Sequence, residues 1–285
     1  MKQIVEQESL ILDVLSKMAP ESSKNTLRSW LQAGRITVDG QRVERANAQV
    51  IPGQEVVLGS KVAFIKGSLR IVHDDDQIVV LEKPEGLLSV ATDFETRATV
   101  HAMLKRQFHN RKVFPVHRLD RETSGIMLFA YTEKAREEMK RQFEQHLIDK
   151  TYFAIVEKEM PFGIGTWESY LEEDDFYYVK STNDSQRGKL ATTHYEVLKT
   201  ERNRSLLRLN PKTGRKNQLR VHCTEAGHCI VGDKKYGALT NPIKRVCLHA
   251  QKITFTHPAT GRSMTFMAPL PEVFSKILNY KSLII

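Results

Sequence analysis

His117-Arg118-Leu119-Asp120-Arg121-Glu122-Thr123-Ser124-Gly125 runs straight into Ile126-Met127-Leu128-Phe129-Ala130. The first stretch is dense in charge, and the second is a continuous apolar run of strand length. A buried strand therefore begins at a polar loop. The charges of that loop must pair with one another or face a ligand, because burying them unpaired is costly. The spacing fits neither of two common catalytic loops. The leucine before Asp120 breaks the His-Arg-Asp spacing of protein kinases, and neither a Gly-rich phosphate loop nor Asp-Phe-Gly accompanies it. Ser124 does not stand in a Gly-x-Ser-x-Gly elbow, so a serine hydrolase is unsupported.

Outward from this loop, strand-like runs dominate: Gln77 to Leu81, Ile126 to Tyr131, Thr151 to Val156, Thr192 to Val197 and Leu206 to Leu209. Two amphipathic helices interrupt them. One starts near Val100, with Met103, Leu104 and Phe108 on one face. The other follows Thr132, with Ala135, Met139, Phe143 and Leu147 spaced by four. Strands and helices do not alternate strictly, so the expected fold class is α+β with a mixed, mainly antiparallel sheet. The acidic run Glu172-Glu173-Asp174-Asp175 is expected on a solvent-facing loop turned away from the partner.

Residues 9 to 58 read as a separate unit. Leu10, Ile11, Val14 and Leu15 recur at helical spacing. Ser22 and Ser23 offer cap chemistry for a second helix through Leu27, Trp30 and Leu31, which Gly34 ends. Ile36-Thr37-Val38 then alternates into an Asp39-Gly40 hairpin turn, and Glu55 to Leu58 closes the stretch after Pro52-Gly53. The expected division is a module over 1–60, a linker over 61–69 and a larger domain over 70–285. Between Lys24 and Arg45 stand five basic residues (Lys24, Arg28, Arg35, Arg42, Arg45) against Asp39 and Glu44. That surface either grips phosphates or is an ordinary solvated face.

The whole chain has 285 residues and a formal net charge of +9, which favours a polyanionic partner without choosing among RNA, DNA and an anionic membrane surface. No run of about 18 apolar residues crosses a bilayer, and no apolar stretch follows a basic start. A cytoplasmic protein without membrane attachment is expected. Three cysteines without paired spacing argue against a disulfide scaffold. His222, Cys223, His228 and Cys229 lack the close ligand pairs of structural zinc sites, so no metal is expected there. They are expected to pack or hydrogen-bond within the fold.

His-Arg-Leu-Asp-x-x-Thr-Ser-Gly resembles the signature of the RluA-type pseudouridine synthases at each defining position. Lys83-Pro84-Glu85-Gly86, Lys150-Thr151-Tyr152 and the run from Thr213 to His222 resemble three further family segments, in the family's order. Gly232-Asp233 and Tyr236-Gly237 continue the last of them. The family usually has Thr-His where this chain has Lys216-Asn217. The helix-helix-hairpin unit resembles the RNA-binding module named for small-subunit ribosomal protein S4.

The resemblance implies a pseudouridine synthase fold and an isomerase acting on specific uridines of structured RNA, most readily large-subunit ribosomal RNA, with tRNA as the alternative. It implies Asp120 as the essential aspartate, Arg220 as its partner and Tyr152 as the tyrosine against the base. Arg118 would enter the space left by a flipped nucleotide. Lys83 and Lys150 within the motifs, and Lys24, Arg28, Arg35 and Arg42 in the module, are the other expected RNA contacts. No cofactor and no obligate protein partner are implied.

The residue types suit that chemistry. Isomerising uridine breaks N1–C1′, turns the uracil and rejoins it through C5, with nothing oxidised and no group lost. An ionised carboxylate beside the ribose or base acts as nucleophile or charge stabiliser. An adjacent arginine is expected to hold the pKa of Asp120 down. A tyrosine stacks on uracil, and flipping the nucleotide costs a few kcal/mol that an inserted arginine offsets. Read singly, Asp120 and Arg220 also fit a structural ion pair, and Tyr152 a core tyrosine. A non-catalytic RNA-binding or ribosome-assembly factor, and a glycosidase with Glu122 as second carboxylate, are the competing classes.

Overall fold

Asp39 and Gly40 both adopt positive φ, 49° and 78°, and turn strand β3 (Ile36–Val38) into β4 (Gln41–Arg42) with Val38 opposite Gln41. This is the two-residue hairpin that the Asp-Gly pair predicts. The carboxylate of Asp39 also accepts from the backbone of Glu55 at 2.8 Å, which ties the turn to β6 (Glu55–Leu58). With β1 (Lys2–Ile4), these strands form a sheet in the order β1-β6-β3-β4. A second pair joins β2 (Ser9–Leu10) to β5 (Gln49–Val50).

Helix α1 (Ile11–Met18) buries Ile11, Val14 and Leu15, and α2 (Lys24–Gln32) buries Leu27 and Leu31. Ser23 caps α2 by accepting from the Thr26 backbone at 3.2 Å. These side chains share one core with Ile36, Val38 and Val56.

The computed structural model describes residues 1–32, 35–43, 45–59, 64–65, 69–93 and 95–278. Gly34 as a helix end, most of the 61–69 linker and the side chain of Arg42 lie outside what is described. The chain divides into two units, Met1–Phe64 and Ile65–Ile285. The short strand β7 (Phe64–Ile65) stands at the division.

In the larger unit β8 (Leu69–Asp74) and β9 (Ile78–Lys83) form a hairpin, followed by helix α3 (Val100–Gln107) and the short β10 (Phe114–Pro115). The polar loop leads into β11 (Ser124–Ala130), then helix α4 (Glu133–Glu144) and β12 (Asp149–Glu157). Four antiparallel strands follow: β13 (Ile164–Glu173), β14 (Val179–Thr182), β15 (Lys189–Thr200) and β16 (Arg204–Pro211). Helix α5 (Gln218–Glu225) and strands β17 (Leu248–Thr256) and β18 (Ser263–Met267) complete the domain. The sheet runs β14-β13-β15-β16-β12-β17-β11-β9-β8. Among the described strands whose register is known, only β11 and β17 pair in parallel, so the fold is α+β with a mixed, mainly antiparallel sheet.

Strand β11 is buried on both faces, which is why its sequence is continuously apolar instead of alternating. Met127 and Phe129 meet Val100 and Leu104 of α3 on one side. Ile126 and Leu128 meet Met139 of α4 on the other. Leu147, expected on the apolar face of α4, instead lies beyond its end and is 59% exposed, because His146 takes a left-handed φ of 57° after the helix stops. Of the acidic run, Glu172 and Glu173 end strand β13, and only Asp174 and Asp175 lie in the turn. No described helix is long and apolar enough to cross a membrane.

Candidate active site

Ala250 of β17 pairs with Gly125 on one side and with Tyr152 on the other. This register sets Tyr152 of β12 beside the loop that carries Asp120. A Cβ on Gly125 would stand 2.1 Å from the Ala250 carbonyl oxygen, so the signature glycine permits the close parallel pairing. A bulge between Thr151 and Tyr152 re-aims the tyrosine locally.

The Asp120 loop is pinned on both flanks. Ser89 donates to the Leu119 carbonyl at 2.6 Å and accepts from the Leu119 backbone at 3.0 Å. The Gly86 backbone donates to the Arg121 carbonyl at 2.8 Å, and Arg121 Nε returns a bond to the Gly86 carbonyl. Beyond the loop, Ser124 accepts from Arg245 and shares a 2.8 Å hydrogen bond with Nδ1 of His249. His117 accepts from the Leu128 backbone through Nε2 and stacks on Phe143, so it is a neutral brace for β11. Its burial lowers its pKa to about 3.

An open pocket of about 90 Å³ gathers Arg118, Asp120, Lys150, Tyr152 and Arg220 from segments far apart in the chain. Burial raises the pKa of Asp120, against the pull of Arg220 and Arg118 and with a further push from Glu122. This corrects the expectation of a depressed value: loss of hydration outweighs the neighbouring guanidinium. Burial and the nearby Asp120 carboxylate raise the Tyr152 hydroxyl as well, so it stays protonated. Lys150, held down to about 8 by burial, donates to the Thr213 carbonyl at 3.4 Å. Arg118 is exposed, and its side chain makes no hydrogen bond to another described residue.

Arg220 lines the pocket, but its direct partners are others. Its Nε and Nη2 meet the two oxygens of Asp233 at 2.6 and 2.7 Å, and Nη1 reaches Glu122 at 3.1 Å and Asn217 at 3.3 Å. The expected pairing with Asp120 is thus electrostatic, while Asp233 fixes the guanidinium. Asn217 adopts a left-handed φ of 54° before α5 and also donates to the Tyr236 hydroxyl, whose ring lies 5.0 Å from Arg220. The residue that departs from the family pattern therefore anchors the pocket arginine.

Sequence reasoning gave Asp233, Asn217 and Tyr236 no role. The available signal was Arg220 itself, since a guanidinium in a buried-looking helix requires a carboxylate partner.

Lys83 requires a correction. It is 1% exposed, and its ammonium donates to the carbonyls of Pro84, Leu87 and Arg121. All three donors are taken, so none is left for a phosphate, and the residue ties the Pro-Gly turn to the Asp120 loop. Burial lowers its pKa to about 7, with Asp120 and Glu122 pulling it back up.

In the smaller unit Lys24 and Arg28 are exposed, whereas Arg35 is half-buried, donates to the Gly59 carbonyl and lies over Trp30. The side chains of the former zinc candidates are engaged internally: His222 bonds Thr193 and Ser169, His228 the Glu157 carbonyl, Cys229 the Tyr236 carbonyl, and Cys223 is buried.

A pocket with a caged carboxylate, a protonated tyrosine and anchored cations, in a chain that also carries a small module with a basic stretch between Lys24 and Arg45, fits an RNA-modifying enzyme. The chain matches the family model for RNA pseudouridylate synthase over residues 77–225 and that for the S4 domain over residues 11–56. It is 30% identical to the ribosomal large subunit pseudouridine synthase D of Neisseria meningitidis, over 93% of this chain and 77% of that one. It is 35% identical to the tRNA pseudouridine synthase C of Haemophilus ducreyi, over 74% of this chain and 95% of that one. Human RNA Pseudouridylate Synthase Domain Containing 4 superimposes with a TM-score of 0.59 at 25% identity, covering 72% of this chain and 89% of that one. The chain belongs to the RNA pseudouridylate synthase family. It is an isomerase with RNA as its substrate, and its N-terminal unit contains an RNA-binding S4 domain.

Proposed function

We propose that this enzyme isomerises uridines of large-subunit ribosomal RNA, with the Asp120 carboxylate acting directly on the flipped nucleotide. The observation that carries the catalytic part is the single pocket shared by Asp120, Tyr152 and Arg220. In this reading Asp120 attacks or stabilises the reacting sugar or base, and Tyr152 stacks on the uracil with its hydroxyl protonated. Arg220, held by Asp233, supplies the positive charge that keeps the carboxylate reactive. Arg118, unbonded at the pocket rim, fills the gap left by the flipped nucleotide. Lys150 contacts the substrate from the pocket wall, and Lys24, Arg28, Arg35 and Arg42 of the module hold phosphates of the surrounding RNA.

The substrate part is supported by coverage. The relative named for large-subunit ribosomal RNA matches over 93% of the chain, whereas the relative named for tRNA matches over 74%. A cytoplasmic placement belongs to the same reading. The tRNA alternative rests on the higher identity of that shorter match.

Purified enzyme incubated with large-subunit RNA transcripts and with tRNA, followed by carbodiimide-dependent primer extension, tests both parts. New stops in the ribosomal transcript, absent with Asp120→Ala, are the expected result. Stops in tRNA alone would overturn the substrate, and stops made by Asp120→Ala would overturn the catalyst.

A further inference from the structure

Phe176 and Tyr177, at the turn between β13 and β14, are 89% and 57% exposed. Two adjacent aromatics in water need a reason, because large apolar side chains at a hairpin tip gain nothing from folding there. The turn that carries them is well braced. Asp174 accepts through Oδ1 from the backbones of Phe176 at 3.0 Å and Tyr178 at 2.9 Å, and its carbonyl accepts from Tyr177. Lys235 donates to the Tyr177 carbonyl at 3.1 Å. The rings are thus presented by a fixed backbone.

Beside the turn lies a trough of about 340 Å³, whose lining includes Arg187, Lys189, Arg215 and Lys216 against the carboxylates Glu172 and Glu173. The carboxylates are already engaged, Glu172 by Lys180 and Arg187 and Glu173 by Lys216. Lys189 is exposed, and its side chain has no ion-pair or hydrogen-bond partner among the described residues. The Arg215 guanidinium is anchored among the described residues only through Nε, to the Leu190 carbonyl at 2.9 Å, and the residue is exposed. Lys216 joins trough and tip, with its ammonium 5.1 Å from the Tyr177 ring centroid. Gly214 and Arg215 line both this trough and the pocket of Asp120, so the two adjoin across these residues.

The geometry points to a second RNA subsite: the trough takes the phosphodiester of the strand flanking the target uridine, and a neighbouring base stacks on Tyr177 and Phe176. Cations spaced along a groove that ends in exposed aromatic faces are the two elements of single-strand binding. The occupant is unpaired RNA, because stacking needs a base free of its helix and because the trough adjoins the pocket that takes a flipped nucleotide. This deepens the proposed function and rests on its assignment of the Asp120 pocket to the target uridine.

Fluorescence anisotropy tests it with labelled oligouridylates, one a trinucleotide and one of about twelve nucleotides, within the site sizes of single-strand binders. The double variant Phe176→Ala/Tyr177→Ala should bind the longer probe about tenfold more weakly and the trinucleotide as before. Phe176→Trp should restore binding in the Tyr177→Ala background. Arg187→Gln/Lys189→Gln should lower the slope of log affinity against log salt by about 0.7 for each phosphate no longer neutralised. Photo-crosslinking from a 4-thiouridine next to the target position should map to the peptide spanning residues 171–189. Unchanged affinity of the aromatic variant for the longer probe, or crosslinks only elsewhere, would overturn the subsite. None of these readouts requires turnover, so a failure of Asp120 as catalyst would show separately in the product assay.

Discussion

Arg220 and Asp233 form a two-point ion pair with both side chains almost fully buried, 4% and 1% exposed. The pair sets the guanidinium against the wall of the pocket that holds Asp120. Its remaining nitrogen, Nη1, goes to Glu122 and Asn217. Breaking a buried pair by removing one partner costs about 3–5 kcal/mol, since the other charge stays buried. Asp233→Ala should therefore unfold at markedly lower denaturant, and what remains folded should lose kcat with little change in RNA affinity. Asp233→Asn keeps one acceptor and should recover part of the stability but less of the activity. Chemical denaturation and single-turnover pseudouridine formation measure the two effects separately.

Asp120 carries a pKa raised by burial. A carboxylate whose folded pKa exceeds its unfolded value favours the fold while protonated and opposes it once ionised. Its contribution is favourable below the unfolded pKa and is lost as pH rises through the folded one. Asp120→Asn should then abolish product formation yet raise the thermal midpoint at neutral pH, and the gain should shrink as pH falls towards the ordinary carboxylate range. A lower midpoint at neutral pH would show that Arg220, Arg118 and Lys83 outweigh the lost hydration. Reactive-site charge is commonly held at such a cost in stability.

Lys83 separates a structural from an RNA-binding lysine. Lys83→Met fills similar space but leaves the carbonyls of Pro84 and Leu87 without the lysine donor, while that of Arg121 keeps the Gly86 N–H. Each buried group left unsatisfied costs about 1–3 kcal/mol, so a loss of about 2–5 kcal/mol is expected. The salt dependence of RNA binding should not change. A reduced salt slope with unaltered stability would restore the residue to the RNA interface.

Much of the fold was legible because its signals are local. The Asp39-Gly40 turn, the Ser23 cap and the spacing of Val100 and Leu104 each report a backbone requirement within a few residues. Strand β13 was not legible: exposed and half-buried residues alternate along it without a strong apolar side, and Leu171 alone is fully buried. In the site, Asp120, Tyr152 and Arg220 were legible through their motifs. Asp233 and Asn217 act by contacting Arg220, and a partnership across tertiary space leaves no spacing to read. Lys83 was misread for the same reason, since a lysine beside a Pro-Gly turn looks solvated until the Arg121 carbonyl arrives from the other loop.

Exposed module cations give a further expectation. Lys24, Arg28 and Arg45 all reach solvent in the S4 unit. Replacing the three with glutamine should weaken binding of a structured RNA most at low salt and reduce the salt slope by about 0.7–0.9 for each phosphate released. Turnover at saturating RNA should hold. A parallel loss of kcat would mean that the module orients the target uridine as well as gripping phosphates.

The acid limb of the pH–rate profile offers the sharpest check on how the pocket tunes its carboxylate. Glu122 pushes the Asp120 pKa up, whereas Arg118 pulls it down. If ionised Asp120 is the active form, turnover falls as pH drops through its pKa, and that limb lies above the usual aspartate range. Neutralising Glu122 as Glu122→Gln should move the limb to lower pH, and Arg118→Gln should move it to higher pH. Opposite shifts from two substitutions on either side of Asp120 are hard to obtain from a general loss of fold, which would depress the plateau and leave the limb in place. Glu122→Gln also weakens the contact to Arg220, which pulls in the opposite sense, so its shift should be smaller in a variant that lacks Asp233. Single-turnover rates with RNA held saturating keep binding out of the profile, and a limb that neither substitution moves would assign the titration to a group other than Asp120.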